Sequence, residues 1–401
     1  MNFDESVAFL KSAISYEDVS KIKYGVKNFD LKRFRSFLEA YGVQYEKLKC
    51  IHVAGSKGKG TTCHLLAAYL RAAGLKVGLF TSPYMFDITE MIVVDGRPIS
   101  KKDFVRYVAD LKKFLETGRF AITYFEMVTA IMFRYFLDRG VDVAVLEVGL
   151  GGRLDSTNVC QPIATALTTV EKEHTEVLGH TYREILNEKL GIIKSGVPLF
   201  VGKQISVVDK EIRSRRLKVP VFYVDDFVET DDDVSDNFEL AKAVLMWLSA
   251  DLFLKKFDLK LLRKCSGKIK IPGRFQVEKA SGRSVVLDMA HTPLSAKMLR
   301  KNLNQRFFGR KFVFLISMME FKNVSGFLKT LVGKEDSVVF TESHSVRSRK
   351  VSELKRFYKK ADVISDPILA FKKVLESNKD KIIVVTGSHF LVGMVSSRLG
   401  N

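Results

Sequence analysis

Residues 55–62, GSKGKGTT, are the stretch on which the fold turns. They follow an apolar run at 48–54 (LKCIHVA) and precede a segment of helical apolar period at 62–73, so the sequence predicts a glycine-rich strand-to-helix loop. Such a loop can wrap a phosphate, because glycines let the backbone come close and the first free N–H groups of a helix point at the anion. Lys59 adds a point charge, and a hydroxyl from Thr61 or Thr62 can face a magnesium ion. The strict nucleotide-loop pattern has Ser or Thr directly after the lysine, whereas Gly60 intervenes here. Taken alone, the stretch leaves a phosphate cradle and an ordinary tight turn both open.

The rest of the chain narrows the choice. Its 401 residues suffice for about two or three domains. A 46% hydrophobic content beside 28% charged residues is that of a globular protein with sizeable cores. No run approaches the roughly 18 consecutive apolar residues of a membrane span, so no membrane partner is expected. The start, MNFDESVAFLKS, has early acids and no small-residue cleavage site, which speaks against a signal peptide and for the cytoplasm. Cys50, Cys63, Cys160 and Cys265 are scattered without metal-finger spacing and read as reduced thiols. The net charge of +19 invites an acidic partner such as nucleic acid. The cations are nevertheless spread, with only short runs such as 213–218 (RSRRLK), so the preferred reading is a solvated basic surface and no nucleic acid is expected. A basic nucleic-acid-binding protein stands as the alternative from another class.

In chain order, 1–47 read as amphipathic helices broken by a loop at 21–29, where Tyr24, Gly25 and Val26 form either a substrate-facing turn or plain surface. The loop helix ends at Gly74 and a second strand follows at 77–81, giving a right-handed parallel crossover. Residues 81–100 read as a loop holding Ser82 and Glu90, 101–116 and 124–138 as helices, and 141–149 as a buried parallel strand ending at Glu147. An acid there suggests function, since ligands of open α/β sheets bind outside the carboxyl ends of the strands. A strand at 163–170 leads likewise to His174. Lys189 closes a helix at 181–189, in a mostly apolar context or simply placed against the helix dipole. A strand follows near 199–201, then an acidic surface loop at 224–237, a helix at 237–250 and a lysine-rich stretch of weak pattern at 255–271. The Pro-Gly turn in IPGRF (271–275) suggests a boundary between an ATP-binding catalytic domain, 1–271, and a smaller α/β domain, 272–401. The expected fold class is α/β: a doubly wound parallel sheet of phosphate-loop type, plus a Rossmann-like second domain.

Ser82, Glu147, His174 and the loop form an oxygen and nitrogen set suited to magnesium bridged to triphosphate oxygens. The ordered motifs HVAGSKGKGTT, FTSP, YFEMVTA, VLEVGLGGRLDSTN, EHTEVLG, EKLGIIKSGVP, PGRFQ, LDMAHTP and VVTGSHFLVG then give the chain its likeness. It resembles folylpolyglutamate synthase and dihydrofolate synthase of the Mur ligase superfamily along nearly its whole length. That family also has a glycine after the loop lysine. The resemblance implies that Gly55, Gly58, Lys59, Gly60 and Thr61 hold ATP phosphates. Ser82 with Glu147 would bind one Mg2+ and Glu147 with His174 a second. Lys189 would be carbamylated, and Asn237, Arg274, Asp288 and His291 would contact the nucleotide. Thr123, Tyr124, Phe125, Leu154 and Asp155, with Tyr24, Gly25 and Val26, would line the pterin region. Lys59, Glu147, His174 and Lys189 would carry the chemistry.

The implied reaction is ATP-dependent ligation of L-glutamate to folate or dihydropteroate through an acyl phosphate, by a monomer whose second domain closes over ATP. The chain departs from the family in places. SPHL and FRERI read SPYM (82–85) and ITEMI (88–92), an arginine of the N-terminal loop is Asn28, DGAHNP reads DMAHTP, and DKD reads FKN (321–323). The lost arginines motivate a second reading, a Mur-like amino-acid ligase acting on a non-folate carboxylate.

Overall fold

The computed structural model describes residues 1–13, 30–226, 236–250, 256–269, 271–343, 345, 347–377 and 380–399. Packing groups the chain into two compact units, Met1–Tyr84 with Ile88–Ile269, and Met85–Asp87 with Lys270–Asn401.

The first unit opens with α1 (Phe3–Ser12), α2 (Leu31–Ala40), β1 (Cys50–Ala54), α3 (Lys59–Ala72) and β2 (Val77–Phe80). It continues with β3 (Ile92–Val94), β4 (Arg97–Pro98), α4 (Lys101–Leu115), α5 (Tyr124–Asp138), β5 (Val143–Glu147), β6 (Pro162–Leu167), α6 (Thr175–Leu178) and α7 (Tyr182–Lys189). It closes with β7 (Leu199–Val201), α8 (Ser206–Ser214), β8 (Val221–Tyr223), α9 (Asp236–Ala250) and α10 (Leu259–Lys268). The sheet order is β4-β3-β2-β5-β1-β6-β7-β8, parallel from β2 to β8 and antiparallel at β3 and β4. From β1 the chain runs first to one side and then, from β6, to the other. β1 is therefore at the point where strand order reverses, the place where open α/β sheets bind ligands.

Alternation along the strands feeds two cores. Cys50, Phe80, Ala144 and Leu146 pack on Met132, Phe133 and Phe136 of α5, whereas Ile51, Val53, Leu79 and Val145 pack on Leu66, Tyr69 and Leu70 of α3 and Leu245 of α9. A sheet covered on both faces explains the near-continuous apolar strands.

The second unit holds β9 (Gln276–Ala280), β10 (Arg283–Leu287), α11 (Pro293–Arg306), β11 (Phe312–Ile316), α12 (Val324–Leu331), β12 (Ser337–Phe340), α13 (Val351–Phe357), β13 (Asp362–Val363), α14 (Pro367–Ser377), β14 (Ile382–Thr386) and α15 (His389–Leu399). Its sheet order is β13-β12-β11-β14-β10-β9, with only β9 antiparallel. The α/β class is thus observed in both units.

Several elements differ from the sequence expectation. α3 begins at Lys59, three residues before 62, because Gly58 at φ 89° turns the chain into the helix. The expected loop at 81–100 contains a hairpin about Asp95 and Gly96, both at positive φ. The weak stretch at 255–271 holds α10, whose Asp258 caps the amides of Lys260 and Leu261. α8 and β8 lie where the sequence suggested no element. No helix among the described residues is long and apolar enough to cross a membrane.

Gly78 in β2 gives one test of the packing, since a Cβ there would lie 2.8 Å from ring carbons of buried Phe136. Gly78→Ala is expected to lower the stability of the first unit by about 1–3 kcal/mol through overpacking. Urea unfolding measures this, and an unchanged or higher midpoint would contradict the contact.

Candidate active site

The glycine loop leaves β1 between its two sheet neighbours. Val53 is in register with Glu147 of β5, and Ala54 with Leu167 of β6. Adjacent strands lie about 4.8 Å apart. The carboxyl ends of β5, β1 and β6 therefore present Glu147, the loop and the segment leading to His174 side by side.

Glu147 is buried, and its Oε2 accepts the Ser82 amide at 3.2 Å. The same oxygen stands 3.3 Å from where a Cβ of residue 60 would be, so the glycine lets the loop pass close beneath this carboxylate, which a side chain there would displace by a few tenths of an ångström. At Gly58 a side chain would strike Asn237 of α9, whose Oδ1 also lies 3.5 Å from the Thr62 hydroxyl. Gly55, Gly58, Lys59, Gly60, Thr61 and Asn237 thus belong to one neighbourhood, with Glu147 and Ser82 at its edge.

The loop is fastened to the segment after β6. The amides of Ser56 and Lys57 donate to the Thr169 carbonyl at 2.8 and 3.1 Å. The Ser56 hydroxyl donates to the Glu171 carbonyl at 3.2 Å and accepts the Glu171 amide at 2.9 Å. His174 follows in the left-handed conformation, φ 50°, starts α6 and is partly exposed. Its Nδ1 lies 3.8 Å from Glu176 Oε1.

Beneath the loop is a knot of charge. Lys189 is 2% exposed and donates to the Gly55 carbonyl at 2.7 Å, which Lys59 Nζ also reaches at 3.2 Å. The Glu173 carboxylate lies between two cations, with Lys57 Nζ 3.2 Å from Oε2 and Lys189 Nζ 3.7 Å from Oε1. Burial pushes the Glu173 carboxyl up, but Lys57, Lys189, Lys59 and His174 outweigh it and hold the group well below the usual carboxylate range. Burial pulls Lys189 down to about 8, with Lys59 and Lys57 pulling the same way and Glu173 opposing. Sequence reading picked out Lys59 and Lys189 but not Lys57 or Glu173, because EKEH looks like a solvated charge run.

The residues expected around the pterin form a second buried group. Thr123 caps α5 in a capping box with Glu126, which Arg33 grips at 3.0 and 3.1 Å. Phe125 packs on Phe80, 5.8 Å between ring centroids, and Tyr124 begins the helix beside it. Leu154 and Asp155 are buried. Asp155 accepts from the Thr157 amide and hydroxyl and from the Leu150 amide, so both oxygens brace its own turn. Burial raises its carboxyl despite these bonds. Tyr24, Gly25 and Val26 lie outside the described residues, as does Asn28. Thr89 and Met91, where the family pattern has arginines, are buried.

In the second unit Asp288 is half-buried and accepts the amides of Phe275 and Ala290 at 2.8 and 2.9 Å. Burial raises its carboxyl, with Arg274 opposing. The Met289 amide bonds to the Gly273 carbonyl at 2.9 Å, and His291 donates Nδ1–H to the Met289 carbonyl at 2.9 Å. Arg274, Asp288 and His291 are therefore held by two loops fastened together within that unit.

Comparison with known proteins follows this geometry. A family model described as Mur ligase middle domain matches residues 53–278, and one described as dihydrofolate synthetase, C-terminal domain, matches residues 273–399. The dihydrofolate synthase/folylpolyglutamate synthase of Bacillus subtilis is 28% identical over 94% of this chain and 96% of its own length. The protein of that name from Buchnera aphidicola subsp. Schizaphis graminum is 30% identical over 85% of each chain. The solved structure of E. coli FolC in complex with DHPP and ADP is similar at a TM-score of 0.87 and 25% identity, covering 100% of this chain and 98% of that one. A bifunctional folylpolyglutamate synthase/dihydrofolate synthase with Mn, AMPPNP and L-glutamate bound gives 0.84 at 26% identity, with the same coverage. This chain belongs to the Mur ligase family, among the folylpolyglutamate and dihydrofolate synthases.

Proposed function

We propose that the protein is an ATP-dependent ligase that joins L-glutamate to the carboxylate of folate or dihydropteroate. The supporting observation is the Glu147 carboxylate lying over Gly60, at the mouth of a glycine loop that starts a helix. The first unit is the ATP-binding catalytic domain and the second the smaller ligase domain, and the active species is a cytoplasmic monomer. Gly55, Gly58, Lys59, Gly60 and Thr61 take the phosphates, and Asn237, Arg274, Asp288 and His291 take the rest of the nucleotide. Tyr24, Gly25, Val26, Thr123, Tyr124, Phe125, Leu154 and Asp155 belong to the pterin side.

The donors fit a divalent cation such as magnesium. Ser82, Glu147 and His174 offer hydroxyl, carboxylate and imidazole, and the Glu147 oxygen stands where a side chain at 60 would close the space. Among the described residues no three His, Cys, Asp or Glu side chains cluster as a metal cage. When bound, such an ion neutralises triphosphate charge.

The chain's own contribution is placement. Loop amides and the Lys59 ammonium hold the terminal phosphoryl group in line with the acceptor carboxylate. A carboxylate oxygen bonds to phosphorus as the bond to the bridging oxygen of ADP breaks. The glutamate amine then attacks the acyl carbon, phosphate leaves, and the ammonium proton passes to solvent.

Lys189 is the proposed carbamate site, supported by its burial and its pKa of about 8. The neutral amine attacks CO2; the ammonium does not.

The presence of Thr89 and Met91, both buried, where the family pattern has two arginines motivates the second reading of a non-folate carboxylate substrate. Phosphate release with L-glutamate and either dihydropteroate or tetrahydrofolate separates the two, and no turnover with any pterin rejects the folate reading. Salt-steep binding of DNA or RNA would instead support the nucleic-acid alternative. Glu147→Gln is expected to lower kcat by about 100-fold or more, since the carboxylate proposed to hold the divalent cation is lost, with thermal unfolding unchanged. Near-normal turnover would remove Glu147 from the mechanism. At fixed dissolved CO2, the rate of isotopic labelling of Lys189 should rise as pH passes about 8, where the ammonium beside Glu173, Lys59 and Lys57 gives up its proton, and level off above. A rise continuing towards about 10.4, the ordinary lysine value, would place the label on an exposed lysine.

A further inference from the structure

We propose that Lys57 is a positioning residue that acts through Glu173, neutralising this buried carboxylate so that an anionic carbamate can form on Lys189 beside it. The proposal rests on the carbamylation of Lys189 put forward above.

Glu173 is 7% exposed and shares its oxygens between Lys57 at 3.2 Å and Lys189 at 3.7 Å. Lys59 meets Lys189 at the Gly55 carbonyl. With Lys189 as an ammonium, these four side chains carry three positive charges and one negative. Carbamylation converts R–NH3+ and CO2 into R–NH–COO− and two protons. A C–N bond forms, one C=O π pair moves to oxygen, and both protons leave to bicarbonate or water. Glu173 then loses its Lys189 counter-ion and faces a new anion in a buried setting, where unscreened charges interact strongly. Lys57 is the cation still against it, and its charge together with that of Lys59 matches the two anions. Without Lys57, Glu173 and the carbamate would share Lys59 alone.

The geometry also makes the test clean. The Lys57 amide is fastened to Thr169, and its neighbour Ser56 is bonded to Thr169 and Glu171 independently of the lysine side chain. The Lys57 side chain is 20% exposed, so replacing it removes charge while the loop keeps its attachments.

The experiment is carbon-13 NMR of the full-length protein titrated with labelled bicarbonate at pH 8, with and without Mg2+, reading carbamate occupancy and not activity. Lys57→Met should raise the CO2 needed for half-occupancy on the order of tenfold or more, the size expected for losing one close counter-charge. Lys57→Arg should stay near wild type. Lys57→Met combined with Glu173→Gln should recover towards wild type, because the anion that Lys57 screens is gone. Carbamate on the wild type with no change in Lys57→Met, or a double variant as poor as Lys57→Met, overturns the role of Lys57 while leaving the Lys189 carbamate standing. No carbamate signal in the wild type overturns both.

Discussion

The Gly55 carbonyl accepts from two lysines at once, Lys189 at 2.7 Å and Lys59 at 3.2 Å, and much of the site follows from that meeting. The loop's anchorage comes from its first three residues: the Gly55 carbonyl, the Ser56 amide and hydroxyl, and the Lys57 amide. Because β6 pairs with β1 in parallel, the segment after β6 arrives where these groups need partners, and Thr169 and Glu171 supply them. The remaining loop residues are thereby released for a ligand.

That arrangement brings like charges together, and Glu173 answers it. Three lysines surround the loop's base, one of them buried, and a buried ammonium is costly unless paired. Glu173 pairs with Lys57 and Lys189, yet the desolvation of Lys189 outweighs its help, so the amine sits nearer neutrality than a surface lysine. Structure and reactivity are joined here: the packing that anchors the loop also sets the protonation of the group beneath it.

How legible this was in the sequence depended on what kind of signal each part carries. α5 was legible at both its ends, because its apolar stripe has helical period and Gly140 follows its last turn, and the structure adds a capping box of Thr123 with Glu126. The buried strands were plain for a similar reason, since a run such as VAVLE has little alternative. The β3–β4 hairpin carried an Asp-Gly signal that was passed over, its flanking strands being only three and two residues long. α10 was hidden by its lysines, which obscure an apolar face that includes Leu262. Glu147 stood out at the end of an apolar run. Glu173 did not, because its partners come from residues 57 and 189, and pairing at that separation leaves no local trace.

The departures from the family pattern sort on the same physical ground. Thr292 replaces an asparagine at a helix cap and still accepts the Ser295 amide, with Pro293 opening α11, so the change keeps the local structure. Met289 replaces a glycine and packs into the apolar cluster behind β10, while its amide still fastens the Arg274 turn. These two changes preserve the backbone that carries Asp288 and His291. Thr89 and Met91 differ in kind, because they place small or apolar side chains in the interior where the pattern has cations. No capping or packing can restore a lost charge. The backbone that carries Asp288 and His291 is therefore kept by substitution within the same physical role, whereas at 89 and 91 the role itself has changed, from cation to buried neutral side chain.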